Sequence, residues 1–130
     1  MTLLQGYRVM FSFLDTYYFK KQSAELGALL GTMSLLQDNT PADAAYEEDW
    51  KIAVSEVLEK KGKTTLSPET AYLAMITFLR NWAEIGSDGT ISGLYVSLEK
   101  SDSNSNEWSA ALNSVLSGKD DPYLHLKSKR

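Results

Sequence analysis

A segment near the middle of the chain returns near its end. Asp49-Trp50-Lys51-Ile52-Ala53-Val54-Ser55-Glu56-Val57-Leu58 is echoed by Glu107-Trp108-Ser109-Ala110-Ala111-Leu112-Asn113-Ser114-Val115-Leu116. In both, an acid precedes Trp and apolar residues follow at the same steps. Such an echo points to two like units, each with too little apolar surface to close a core alone.

The repeat extends upstream. A shift of 65 sets Tyr7 opposite Tyr72, Met10 opposite Met75, Phe13 opposite Phe78, Leu14 opposite Leu79 and Tyr17 opposite Trp82. The same shift sets Leu26 opposite Ile91, Leu29 opposite Leu94 and Met33 opposite Leu98. The Trp segments align at a shift of 58, so the second half is shorter by seven (65 − 58). The piece it lacks is the Asp38-to-Tyr46 region.

Within each half the apolar spacing is helical. Leu3, Leu4, Tyr7, Met10, Phe11, Leu14, Tyr17 and Tyr18 fall on one wide face at about 100° per residue. This predicts a first helix from Leu3 to about Lys20, with Thr2 as N-cap and Lys20 and Lys21 at its end. Phe13 lies off that face, and its counterpart Phe78 lies equally off the fourth helix's face. A shared exception is a stronger sign of kinship than a shared stripe, because every amphipathic helix has a stripe.

Ser23 caps a second predicted helix, in which Leu26, Leu29, Leu30 and Met33 recur at helical spacing. Gly27 and Gly31 sit four apart, which suits the close approach of another helix. A third helix is expected to open with Thr40 as cap, Pro41 as first residue and Asp43 as a capping acid. It runs to about Lys61 with Tyr46, Trp50, Ala53, Val54, Val57 and Leu58 on one face, and Gly62 stops it. Ser67 and Pro68 open a fourth, with Tyr72, Met75, Ile76, Leu79, Trp82 and Ala83 on one face, ending near Gly86. Asp88-Gly89 reads as a turn. Ile91 to Leu98 alternates as a strand would, whereas the repeat assigns it to a helix. The last helix spans about Glu107 to Leu116 and ends at Gly118.

The fold expected is therefore all-α, about six helices arranged as two pseudo-repeats of three around one core. The chain reads as a single domain, 1–130, with repeat 1 at about 2–61, repeat 2 at about 67–118 and a partly ordered tail at 119–130. Trp50 and Trp108 are expected as matching core anchors.

The chemistry is sparse. Hydrophobic content of 43% and charged content of 23% are those of a globular chain. A net charge of −4 speaks against nucleic acid or an anionic membrane as the main partner. With no cysteine there is no disulfide framework, thiolate metal site or Cys nucleophile. The N-terminus has neither a basic n-region nor a long apolar h-region, so no signal peptide is expected and the chain is placed in the cytoplasm. No stretch approaches the roughly 18 apolar residues of a membrane span. The lone histidine, His125, sits in the tail, and no phosphate loop, zinc-protease or nucleophile-elbow motif is present. No catalytic residue, cofactor or metal is expected.

One polar feature stands out. Asp38, Asp43, Glu47, Glu48 and Asp49 fall within twelve residues, around the piece that only the first half carries. Their spacing fits no calcium loop. Glu47 and Glu48 also suit the positive end of a helix. These five are the candidate partner-binding residues.

A family resemblance sharpens this. Phe13-Leu14-x-x-Tyr17-Tyr18, then Leu26-Gly27-x-Leu29-Leu30-Gly31-x-Met33-Ser34-Leu35-Leu36, then Pro41-Ala42-Asp43 and Asp49-Trp50, resembles small bacterial immunity proteins of contact-dependent growth inhibition and related polymorphic toxin systems. It covers about the first 60 residues and carries no site residue across. It implies a stoichiometric inhibitor that binds a cognate toxin one-to-one and occludes its active site. An acidic inhibitor of a basic toxin would associate fast. Two other readings stand beside it. One is an enzyme using carboxylates in a cleft between the halves. The other is a non-catalytic helical adaptor or homodimeric structural protein, with Gly27 and Gly31 at the contact.

Overall fold

Helix starts are set by short polar side chains, and the computed structural model shows them at work. It describes residues 1–20, 22–83 and 89–123. Thr2 Oγ1 accepts from the Gln5 N–H at 3.0 Å, and Gln5 Oε1 accepts from the Thr2 N–H at 2.9 Å. This capping box opens α1, Leu3–Lys20. Ser23 caps α2, Ala24–Met33, by accepting from the Leu26 N–H. α3 spans Ala45–Lys61 and stops at Gly62, whose φ of 63° is the left-handed conformation of a helix C-cap. Ser67 and Thr70 box the start of α4, Pro68–Ala83. α5 spans Thr90–Glu99, and α6, capped by Ser105, spans Asn106–Leu116. The described residues are thus all-helical, with isolated bridges at Leu35, Pro41 and Tyr123 in place of strands.

α1 and α4 are the central helices. Val9 and Phe13 are buried along with Tyr7, Met10, Phe11 and Leu14, so α1 is covered on more than one face. The cause is packing on two sides: α2 lies against one and α6 against another. In the same way α4 is covered by α5 and α3. The last helix of each half, α3 or α6, therefore rests on the central helix of the other, while α2 and α5 rest on the central helix of their own half. α2 and α5 meet where Glu25 Oε1 accepts from the Ile91 N–H at 2.9 Å, which caps α5 from outside.

Residues that the shift of 65 sets opposite each other make matching bonds. The Tyr7 hydroxyl donates to the Met33 carbonyl at 2.7 Å, and Tyr72 donates to Leu98 at 2.7 Å. The Trp50 indole donates to the Leu3 carbonyl at 2.9 Å, and Trp108 donates to Pro68 at 3.2 Å. Both tryptophans are buried, at 2% and 0% exposure.

The segment 90–99 is helix, as the repeat assigned it against its local alternation. Other expectations are corrected. α3 begins at Ala45 rather than at Pro41. Thr40 is occupied elsewhere, its N–H and hydroxyl both donating to Asp38 in a tight turn. Pro41 bridges Leu35. Asp43 does accept from a helix-start amide, that of Ala45 at 3.1 Å. At Gly27 the neighbour is the Tyr18 ring, 3.1 Å from where a Cβ would stand, while nothing lies within 4 Å of that point at Gly31. The stretch 119–123, assigned to the tail, is docked. Asp120 makes a two-pronged ion pair with Arg8 at 2.8 and 2.9 Å, and its side chain is 1% exposed. The Leu35 N–H donates to the Pro122 carbonyl at 2.7 Å. Lys21, Gly86, Asp88 and His125 lie outside the described residues.

Candidate functional site

The piece that only the first half carries folds over the N-terminal end of α1. Ser34 and Ala42 are paired through the Ala42 N–H, and Leu36 donates to Thr40, so the loop closes on itself. Asn39 takes a positive φ of 66° at its tip, a conformation asparagine tolerates better than most residues. Its side chain accepts from the Tyr123 hydroxyl at 2.7 Å. The tail and loop thus hold each other in place.

Beneath this loop lies a cleft of about 220 Å³ between the start of α1 and the start of α3. Its walls are Leu3, Leu4, Tyr7, Leu35, Pro41 and Trp50, and its rim is Asn39, Glu47 and Lys51. Lys51 pairs with Glu47 at 3.4 Å, both about half exposed. Such a pair is weak and easily exchanged. Burial pushes the Tyr7 phenol well above its ordinary pKa, with Tyr46 and the Asp43 carboxylate adding to the shift. The Asp43 N–H donates to the Thr32 carbonyl at 3.0 Å, next to the Met33 carbonyl that takes the Tyr7 hydroxyl, so Asp43 stands on the side of the molecule that holds the cleft.

The five candidate acids are all exposed, but they do not form one patch. Glu47 rims the cleft and Asp43 is near it. Asp38 sits in the loop, its carboxyl held below its usual range by the Thr40 hydroxyl and amide. At about 100° per residue, Glu48 and Asp49 turn progressively away from Glu47 round α3. Clustering along the chain overstated clustering in space.

The apolar walls were not singled out in the sequence as a site. The signal was present in the comparison of halves. Leu3 stands opposite Pro68, Leu4 opposite Glu69 and Leu35 opposite Lys100. Where the first half carries Leu3 and Leu4, the second half builds the matching helix start with Pro68 and Glu69, and it has no counterpart of the loop after α2 that holds Leu35.

A second, larger cleft of about 520 Å³ lies between α3, α4 and the end of α5. It mixes Lys60, Lys61 and Arg80 with Glu69, Glu99 and Asp102. Its charges balance, and Arg80 is already paired with Glu99 at 3.1 Å. Among the described residues no group of three or more His, Asp or Glu is placed to hold a metal ion. Nor is any helix among them long and apolar enough to cross a membrane.

No family model, curated protein or solved structure matches this chain.

Proposed function

We propose that the chain is an immunity-type protein that binds a cognate bacterial toxin domain one-to-one and covers its active site. The observation that carries this reading is the cleft under the 34–43 loop. An apolar socket sits beside Glu47 and Asp43 on a preformed surface, and the docked tail holds the loop that roofs it. A rigid apolar centre within a charged surround is the usual anatomy of a tight protein interface. The acids steer a basic partner, and the socket supplies the lasting contact. Occlusion requires nothing of the inhibitor but shape, charge and rigidity.

The test is co-expression of the affinity-tagged chain with the protein encoded immediately upstream. A toxic partner, neutralised and retained at a one-to-one ratio, supports the reading. Failure to retain or neutralise it, with the chain running as a stable homodimer, moves the weight to the adaptor reading. The two most exposed large apolar side chains, Phe19 and Leu116, do not favour that alternative. α1 and α6 run antiparallel, with Phe13 beside Trp108 and Arg8 beside Asp120, so these two residues lie at opposite ends of the pair.

A further inference from the structure

Of the three leucines at the cleft, Leu35 is a core residue at 1% exposure and Leu4 packs partly against the core, so it is the helix start, and Leu3 above all, that asks for an explanation the fold does not supply. The helix start that carries Leu3 and Leu4 is built again in α4 with Pro68 and Glu69 in their places. The bonds that fix it are kept: the cap box, the Trp indole to the first-turn carbonyl, and the Tyr hydroxyl to the end of the next helix. The architecture therefore does not need apolar side chains at these positions. Leu3 is 42% exposed, which a core residue would not be. Pro41, from the piece the second half lacks, adds a further apolar wall.

From this we infer that the cleft is a socket for one partner side chain, apolar or aromatic, followed in the partner's chain by Lys or Arg. This rests on the function proposed above and names the chemistry of the same site. The volume of about 220 Å³ suits a single large side chain rather than a helix or a cofactor. The apolar wall receives the ring or branched chain. Glu47 receives the following cation, displacing Lys51 from an exposed pair. Asp43 and Asp38 reinforce the sign of the field, and Lys51 is the one cation among the described residues that line the cleft. A partner segment with an acid beside its anchor is rejected by the same carboxylates.

The probe is a blocked dipeptide, N-acetyl-Phe-Arg-amide, titrated into the full chain and followed by the indole N–H signals in NMR. Trp50 lines the cleft and Trp108 does not, so Trp108 is the internal control. The expected result is a saturable shift of the Trp50 indole and of the Leu3 and Leu4 amides, with Trp108 unmoved. N-acetyl-Phe-Glu-amide, or the Glu47→Gln chain with the original probe, should bind at least roughly threefold more weakly. Leu3→Asp should abolish the Trp50 shift while leaving the Trp108 signal in place, since the fold bonds the Leu3 carbonyl, which the substitution keeps, and the side chain is 42% exposed. No localised shift, or equal binding of the Phe-Arg and Phe-Glu peptides, overturns the proposal. Dipeptide binding with no toxin retained keeps the socket and removes the immunity reading. A retained toxin that Leu3→Asp does not weaken keeps the immunity reading and removes the socket.

Discussion

Phe13 packs edge-on against Trp108, ring centroids 5.8 Å apart at 68°. It joins the first helix of one half to the last helix of the other. Phe78 does the same for Trp50, at 6.4 Å and 72°. This is why both phenylalanines lie off their own helix's stripe: that stripe faces their own half, and the off-stripe ring faces the other. Phe13→Ala should therefore cost about 3–5 kcal/mol of stability, as large-to-small core changes do. A double-mutant cycle with Trp108 should return a coupling of about 0.5–1.5 kcal/mol, the range for aromatic pairs. Urea unfolding of the four proteins checks both. A fragment ending before Ser67 should fail to fold by circular dichroism, since Phe13 and Val9 would lose their cover.

The glycines of α1 and α2 should respond in opposite directions. A Cβ at Gly6 would stand 2.7 Å from Leu66 Cδ2 and 3.1 Å from Trp50 Cζ2. Gly6→Ala should destabilise by about 1–3 kcal/mol through overpacking. Gly31 has open space at the same point, so Gly31→Ala should stabilise by up to about 1 kcal/mol through helix propensity. Shifts in the urea midpoint in opposite directions are the expected observation.

The tail should control the order of the binding loop. Asp120→Ala leaves the Arg8 guanidinium, 22% exposed, without its carboxylate. The loss should be about 3 kcal/mol, towards the low end for a buried pair because Arg8 keeps some water. Hydrogen exchange should accelerate at Leu35 and Ala42, whose amides donate to Pro122 and Ser34. Exchange within α4 should change far less. Unaltered loop protection would show that the tail does not hold the loop.

Alkali should destabilise the fold through Tyr7. Its phenol is buried and its pKa is raised above the ordinary value of about 10. The folded state therefore holds this proton more tightly than the unfolded chain does. The contribution is fully present below about pH 10 and is lost as pH rises from there towards the folded pKa. Tyr72, raised by burial and by Asp102, acts with the same sign. Tyr7→Phe should flatten this alkaline slope. It should also cost about 1–3 kcal/mol at neutral pH, because the buried Met33 carbonyl loses its donor. Thermal melts across pH 8 to 12 on both proteins would show it.

Much of this arrangement was legible in the recurring pattern of apolar and aromatic residues along the chain. Helical spacing placed the apolar stripes, and the shift of 65 paired Phe13 with Phe78 as a shared exception. The repeat also decided residues 90–99 for helix against their local alternation. The start of α3 was misread because Thr40 and Pro41 carry strong local cap signals. Those signals lost to pairing of Leu35 with Pro41 and with residues near Tyr123, far along the chain. The cleft was missed because its walls come from α1, the loop and α3, and no local window contains them. The acids were seen as a cluster because they are close in sequence, and helix rotation then separates Glu48 and Asp49 from Glu47.

The central claim, that Glu47 and the adjoining cleft meet a basic toxin, is tested most directly by association kinetics with the protein encoded immediately upstream. The on-rate should fall as salt rises, and Glu47→Lys should slow it roughly tenfold at low salt while Glu48→Lys, turned away round α3, stays within about twofold. Full-speed, full-affinity binding by the Glu47→Lys chain would contradict the account.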